Sequence, residues 1–332
     1  TGIRSESDST EDPEGAFPTR ISMRKVSTFD ELSQDASATH TRTFVKIQDG
    51  CSHGCTYCII PALRGRERSL PPERVLEVLD DLDVRGVPEV VLTGIHLAAY
   101  GRDLLPKTTL ATLVRAIARR DYRFRVRLSS LEPQDVREDM AEAVFESIPK
   151  VCPHFHLPLQ SGSDRVLKAM RRGYTADKFE ALVERVRAVH PGFGISTDVI
   201  VGFPGETEED FEATLELAKR TRFVRIHAFP YSVRPGTPAA DMPQVPVAVK
   251  REREKRLIAA GSHLTRKQVI QSVGAAFEVV AETESRDHPG YREGYTGNYL
   301  PALVKSDTRG ARIKGRAVAA LGERVVIESD GG

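Results

Sequence analysis

Thr43-Phe44-Val45-Lys46-Ile47-Gln48-Asp49-Gly50-Cys51-Ser52-His53-Gly54-Cys55-Thr56-Tyr57-Cys58 is the stretch on which both the fold and the chemistry turn. Phe44, Val45 and Ile47 form a short apolar strand, and Asp49-Gly50 is a turn pair that stops it. Three thiols follow at once in one tight loop. Three cysteines can ligate three irons of a four-iron, four-sulfur cube and leave the fourth iron open. The amino and carboxylate groups of S-adenosylmethionine (SAM) can chelate that open iron, so that a single electron enters the sulfonium and breaks its bond to the 5′ carbon. The alternative is zinc. It needs a fourth ligand, for which His53 is the only near candidate, and tetrahedral zinc sites usually draw two pairs from separate loops. Cys152, far off in sequence, reads as a buried thiol.

Outward from this loop the pattern alternates. Pro71-Pro72 opens a helix with Val75, Leu76, Leu79 and Leu82 at helical spacing, closed by Gly86. A strand from Glu89 to Thr93 ends in Gly94. Then come a helix around Leu110 to Ile117, a strand in which Phe124, Val126 and Leu128 alternate with arginines, and a helix near Val136 to Ile148. A fourth strand is expected around Phe155 to Leu159, a fifth from Ile195 to Val201 and a sixth from Phe223 to Phe229, with helices between them. Strands alternating with helices in this way predict a parallel α/β sheet with right-handed crossovers, either open and doubly wound or a partial barrel. In both forms the site lies at the strand C-terminal ends.

After Pro246 a charged helix runs to about Ser272. From Ala276 to Glu328, short β-type segments separated by glycines suit a five-stranded barrel of the oligonucleotide-binding (OB) kind. Four segments result: 1–40, a tail or linker rich in Ser, Thr, Asp and Glu; 41–245, the α/β core; 246–272, a connecting helix; and 273–332, the small β module.

The bulk composition sets limits on this reading. The chain has 332 residues, 40% of them apolar and 29% charged, with a net charge of +1 and four cysteines, so a disulfide framework is excluded and general attraction to polyanions is weak. Nothing in it marks secretion or membrane insertion, so cytoplasm and no membrane partner are the expectation.

The residues around the thiols resemble the methylthiotransferase family of the radical SAM superfamily. The resemblance runs through Gln48 to Cys58, Ile59-Ile60-Pro61, Arg64-Gly65-Arg66-Glu67-Arg68-Ser69, Leu92-Thr93-Gly94-Ile95-His96, His156-Leu157-Pro158-Leu159-Gln160-Ser161-Gly162-Ser163, Met170 to Tyr174 and Asp198 to Thr207. It covers nearly everything from Thr41 onward. Thr93 to His96 and Arg171 to Thr175 look most like the branch acting on N6-threonylcarbamoyladenosine beside the tRNA anticodon; related branches act on N6-isopentenyladenosine or on a ribosomal-protein aspartate. The small β module resembles the TRAM domain. The resemblance therefore implies a partial (β/α)6 radical SAM barrel followed by an OB-like TRAM barrel.

It also implies roles. Cys51, Cys55 and Cys58 would hold one [4Fe-4S] cluster. The backbone at Tyr57 would meet the adenine of SAM, Gly94 the methionine amino group, and Ser130 and Glu132 the ribose hydroxyls. Gln160 and Arg172 would take the SAM carboxylate, and Ile200 and Gly202 would line the adenine. Plainer readings stand beside these: Tyr57 as a core aromatic, Gly94 as a simple turn, Glu132 as a loop acid before Pro133, Arg171 and Arg172 as a solvated face, and Glu206 as a helix-start acid. Arg64, Arg66 and Arg68 are candidate phosphate contacts at the mouth of the site. Tyr295, Tyr299 and Lys314 are candidates for single-strand RNA; either set can instead be ordinary exposed surface.

The implied reaction inserts sulfur at C2 of the adenine after hydrogen abstraction by the 5′-deoxyadenosyl radical, with a methyl group from a second SAM. Implied partners are the tRNA anticodon stem-loop and an electron donor such as flavodoxin or ferredoxin. The family carries a second, auxiliary [4Fe-4S] cluster on three cysteines of a preceding domain. Residues 1–40 hold no cysteine and the chain opens on Thr1. The expectation is a fragment of a longer enzyme that cleaves SAM without completing methylthiolation, or else a non-catalytic RNA-binding protein with a structural metal.

Overall fold

A computed structural model describes residues 41–330; the expected tail at 1–40 lies outside the described residues. Strand β1 (Arg42–Asp49) leads into the thiol loop, a one-turn helix α1 (Ile60–Arg64) and a two-residue strand β2 (Arg68–Ser69). Then follow α2 (Pro72–Val84), β3 (Glu89–Gly94), α3 (Leu110–Ala118), β4 (Arg125–Leu128), α4 (Glu138–Glu146), β5 (His154–His156), α5 (Asp164–Ala169), α6 (Ala176–Val189), β6 (Gly194–Val201), α7 (Glu208–Thr221) and β7 (Arg225–Pro230). Helix α8 (Val247–Gln271) connects to β8 (Ala276–Glu284), β9 (Tyr291–Thr296), β10 (Pro301–Lys305), β11 (Arg312–Leu321) and β12 (Arg324–Ser329).

The long strands of the core are all parallel. One sheet has the order β2-β1-β3-β4 and another β5-β6-β7, with only β2 antiparallel. Parallel bridges Val126↔Val151 and Ser130↔His156 carry the first sheet into the second. The six parallel strands thus curve as a partial barrel, with β1 and its short partner β2 at one open edge and β7 at the other. Its helices form the outer layer because each presents an apolar stripe at helical spacing: Val75, Leu79 and Leu82 on α2, and Phe179, Leu182, Val183 and Val186 on α6. Against them pack the outward faces of the strands, including Val45, Leu92 and Val126, all fully buried. Each such side chain contributes about 1.5–3 kcal/mol by leaving water.

The fourth expected strand is shorter than its sequence suggested. Its ladder stops at His156 because Pro158 brings no N–H to a neighbour. The sixth begins at Arg225, and Phe223 and Val224 turn into the core ahead of it.

Strands β8 to β12 close into a barrel of order β10-β12-β11-β8-β9 around Val279, Leu300, Ala302, Val304, Val325 and Ile327. This barrel seats on the N-terminal ends of the core strands. Arg125, first residue of β4, donates to the Glu278 and Tyr295 carbonyls, each at 2.8 Å, and a Cβ on Gly194, first residue of β6, would lie 1.9 Å from the Asn298 carbonyl oxygen. Among the described residues no helix is long and apolar enough to cross a membrane.

Candidate active site

At the other end of the partial barrel the thiol loop is fixed by backbone that tolerates little change. Gly50 has φ +76°, and a Cβ there would meet the Arg66 carbonyl oxygen at 2.0 Å. Cys51 N donates to the Gly65 carbonyl at 2.9 Å, and Thr56 N to the Met170 carbonyl at 3.1 Å, so the loop is tied on both sides. Gln48, wholly buried, donates to the Asp49 and Gly50 carbonyls and accepts from His96 N at 2.6 Å. Gly94 faces it so closely that a Cβ would come within 2.8 Å of the Gln48 side chain.

The sulfurs sit among donors. Arg172 Nη1 donates to Cys55 Sγ and to the Tyr57 hydroxyl, each at 3.4 Å, and His53 N donates to Cys51 Sγ at 3.4 Å. Burial pushes the Cys58 thiol up, with the neighbouring thiols adding to it. Arg172 also pairs with the Glu132 carboxylate. The two residues expected to hold the ribose and the SAM carboxylate therefore hold each other here, beside Cys55. Ser130 lies exposed past the end of β4.

Cys51, His53 and His96 bring ligand-type atoms within 4.8 Å of one another, which is the arrangement a zinc site needs. The partners of His96 oppose it: its Nε2 is already taken by the Asp135 carboxylate at 2.9 Å, and tetrahedral zinc sites usually draw two pairs of ligands from separate loops.

A cavity of about 330 Å³ opens next to the loop, lined by Tyr57, Gln160, Asp198, Ile200, Phe229 and Tyr231 among others. Gln160 holds the left-handed φ of 62°, and its Oε1 is buried with no hydrogen-bond partner. An orphaned acceptor on strained backbone beside a cavity is the signature of a ligand site. With three thiols in a single loop and an unsatisfied amide at the cavity wall, the residues present fit a SAM-binding cluster site. Gly202, at φ +68°, packs on Lys250 and donates to Glu206 Oε2 at 2.5 Å.

Several sequence expectations are corrected here. Glu206 does not serve the start of the next helix. Thr207 caps α7 in a capping box with Asp210, while the buried Glu206 carboxylate takes Gly202 N and Arg253 Nη1 at 2.8 Å. Arg68 is buried, donating to the Arg64 and Arg66 carbonyls and pairing with Asp49, so it braces the loop from within; Arg64 and Arg66 remain exposed at the mouth. Tyr295 and Tyr299, expected as a platform for RNA, are half-buried and engaged within the molecule. They stack on each other at 4.7 Å, with Arg42 over Tyr295, Arg127 over Tyr299, and His154 stacked on Tyr299 at 4.5 Å. Together they plug the base of the partial barrel. Lys314 is exposed on β11.

The sequence reading also missed the residues that line the lumen between plug and mouth, among them His156, Asp198 and His227. Their signal is the period of two along β5, β6 and β7, which places alternate residues on the inner face.

A sequence profile of the Radical SAM superfamily matches residues 45–218. The tRNA-2-methylthio-N(6)-dimethylallyladenosine synthase of Streptomyces viridosporus is 43% identical over 273 residues, 82% of this chain and 52% of the relative. That of Mycobacteroides abscessus is 45% identical over 247 residues, 72% and 48% of the two chains. The threonylcarbamoyladenosine tRNA methylthiotransferase MtaB of Bacillus subtilis is 39% identical over 286 residues, 85% and 63%. The chain spans about half the length of the first two relatives. Among solved structures, the radical S-adenosylmethionine methyltransferase TsrM of Kitasatospora setae superposes with a TM-score of 0.51 at 20% identity, over 59% of this chain and 38% of that one. Its likeness bears on the fold alone. Radical SAM proteins use a [4Fe-4S] cluster and SAM, and Cys51, Cys55 and Cys58 stand within the matched region. The chain belongs to the radical SAM superfamily and, within it, to the methylthiotransferase family.

Proposed function

We propose that this chain forms the radical SAM core of a tRNA methylthiotransferase acting on an N6-modified adenosine. The observation that carries the reading is the unpartnered Gln160 Oε1 on left-handed backbone, in a cavity beside the three-thiol loop. Cys51, Cys55 and Cys58 would hold the cluster. Once loaded, it supplies the single electron that SAM cleavage needs. Tyr57 and Ile200 would shape the wall for the adenine, with Gly202 just past the same strand end, Gly94 would offer its backbone to the methionine amino group, and Gln160 would satisfy its amide on SAM. Arg172, already turned toward Cys55, is placed to meet a carboxylate by exchanging Glu132 for it, and Glu132 is then released toward ribose hydroxyls with Ser130 alongside.

Arg64 and Arg66 at the mouth, with Lys314 on the small barrel, are the basic groups proposed to touch tRNA phosphates; the small barrel is read as a TRAM-type module. Relatives named for the dimethylallyl substrate match at 42–45% identity, and the one named for threonylcarbamoyladenosine at 39%. The threonylcarbamoyl branch therefore rests on Thr93 to His96 and Arg171 to Thr175 alone.

Nucleoside mass spectrometry of tRNA from cells lacking the gene tests the whole reading. Loss of one 2-methylthio-N6-modified adenosine identifies the substrate, and an unchanged nucleoside set overturns the proposal. Anaerobic reconstitution of the chain separates enzyme from metal-stabilised RNA binder. Iron with 5′-deoxyadenosine formation supports the first; stoichiometric zinc with intact SAM supports the second.

A further inference from the structure

β5, β6 and β7 each place one metal-ligating side chain on the inner face of the partial barrel, above the Tyr299 plug and below the cavity at the mouth. His156 comes from β5, Asp198 from β6 and His227 from β7, and Asp198 and His227 are direct partners in the parallel register. The ligand-type atoms of all three lie within 4.8 Å of one another. His156 Nε2 lies 3.1 Å from Asp198 Oδ2, and the two imidazole rings are 5.9 Å apart. Behind them the orientation is built in. His156 Nδ1 meets the hydroxyl of Ser196 at 2.9 Å, and the same hydroxyl meets His154 Nε2 at 2.8 Å. Ser196 is wholly buried, so this contact fixes the His156 ring with Nε2 turned toward Asp198.

We propose that His156, Asp198 and His227 bind a divalent first-row transition-metal ion in the middle of the lumen, at a site distinct from the thiol loop. Two imidazoles and one carboxylate on three adjacent strands are a donor set such ions accept, and three protein ligands leave coordination positions free. Asp198 also lines the 330 Å³ cavity, so a water, or an oxygen or nitrogen of a molecule held there, can complete the coordination shell. The ion would act as a Lewis acid inside the reaction chamber. Its ligands take no part in holding the cluster.

The experiment is an anaerobic cobalt(II) titration of the cluster-loaded chain, followed by EPR of high-spin cobalt, to which an oxidised four-iron cube adds no signal. One equivalent should bind. His156→Ala, Asp198→Asn and His227→Ala should each weaken it by at least about tenfold, and Ser196→Ala by roughly 10–100-fold through loss of ring orientation. His263→Ala, exposed on α8, should leave it unchanged. Thermal melts and iron content establish that each variant is folded and loaded. Absence of bound cobalt in the loaded wild type, or binding that all three ligand variants leave intact, overturns the proposal. Failure to load iron counts against the cluster assignment instead; cobalt held by the thiols is then told apart by its sulfur-to-metal charge-transfer absorption.

Discussion

Glu89 is wholly buried at the start of β3, with Arg125 Nε at 2.6 Å from one carboxylate oxygen and Arg127 Nε at 2.9 Å from the other. Burial alone would raise its pKa, but the two guanidinium groups override burial and hold it at about 2. Glu89→Gln leaves two buried arginines short of a counter-charge and should cost about 3–5 kcal/mol in chemical denaturation. The sign of its pH dependence follows from the depressed pKa. The stabilisation is complete above the ordinary carboxylate value of 4.5 and disappears as pH falls through about 2, so wild type and variant should converge in that window. A second residue carries the site. Gly50→Ala adds a Cβ onto the Arg66 carbonyl at a positive φ, a strain of about 1–3 kcal/mol placed directly before Cys51. The purified variant should keep its far-UV spectrum and lose most of its iron on reconstitution.

At the scale of elements, α8 acts as a brace on the loop after β6. Arg253 of this helix reaches the Glu206 side chain and backbone carbonyl, and Glu206 in turn takes Gly202 N, so the helix holds the loop that follows the cavity wall. Both partners of the pair are nearly inaccessible, at 5% and 1% of their side-chain surface. Arg253→Ala should destabilise by about 3–5 kcal/mol because Glu206 is left buried without its partner. SAM affinity, measured by equilibrium dialysis on loaded protein, should fall as the loop loosens. Much of this level was legible in the sequence. The spacing of Val75, Leu79 and Leu82 announced α2, and the turn pair after Ile47 placed the thiols past a strand end. What escaped was set by tertiary structure. Arg125 and Arg127 alternate along β4 as a solvated strand face would, yet both point inward, because Glu89 and the carbonyls of the small barrel supply their partners from more than thirty residues away. Tyr295 and Tyr299 read as an exposed aromatic platform for the same reason: nothing local tells a stacking surface for bases from one for arginines and a histidine.

For the whole molecule, the seating of the small barrel decides how a large substrate can approach. Tyr295 and Tyr299 close the base of the lumen against Arg42, Arg127 and His154, and the described residues leave the lumen open at the thiol-loop end. On the proposed function, a nucleoside entering by that mouth passes Arg64 and Arg66, both exposed there. Lys314 belongs to a barrel seated at the opposite end, so an RNA touching it as well has to run along the outside of the core. This arrangement separates two kinds of variant. Arg64→Ala with Arg66→Ala should weaken tRNA binding and reduce the slope of log affinity against log salt by roughly 1.5, because two phosphate contacts no longer release counterions. Tyr299→Ala removes the ring under Arg127 and against His154. It should lower the melting temperature and expose β9 to hydrogen exchange, while the salt slope of tRNA binding stays at the wild-type value. If Tyr299→Ala instead reduced tRNA affinity without any loss of stability, the plug would have to open for RNA, and the base would enter from the barrel side.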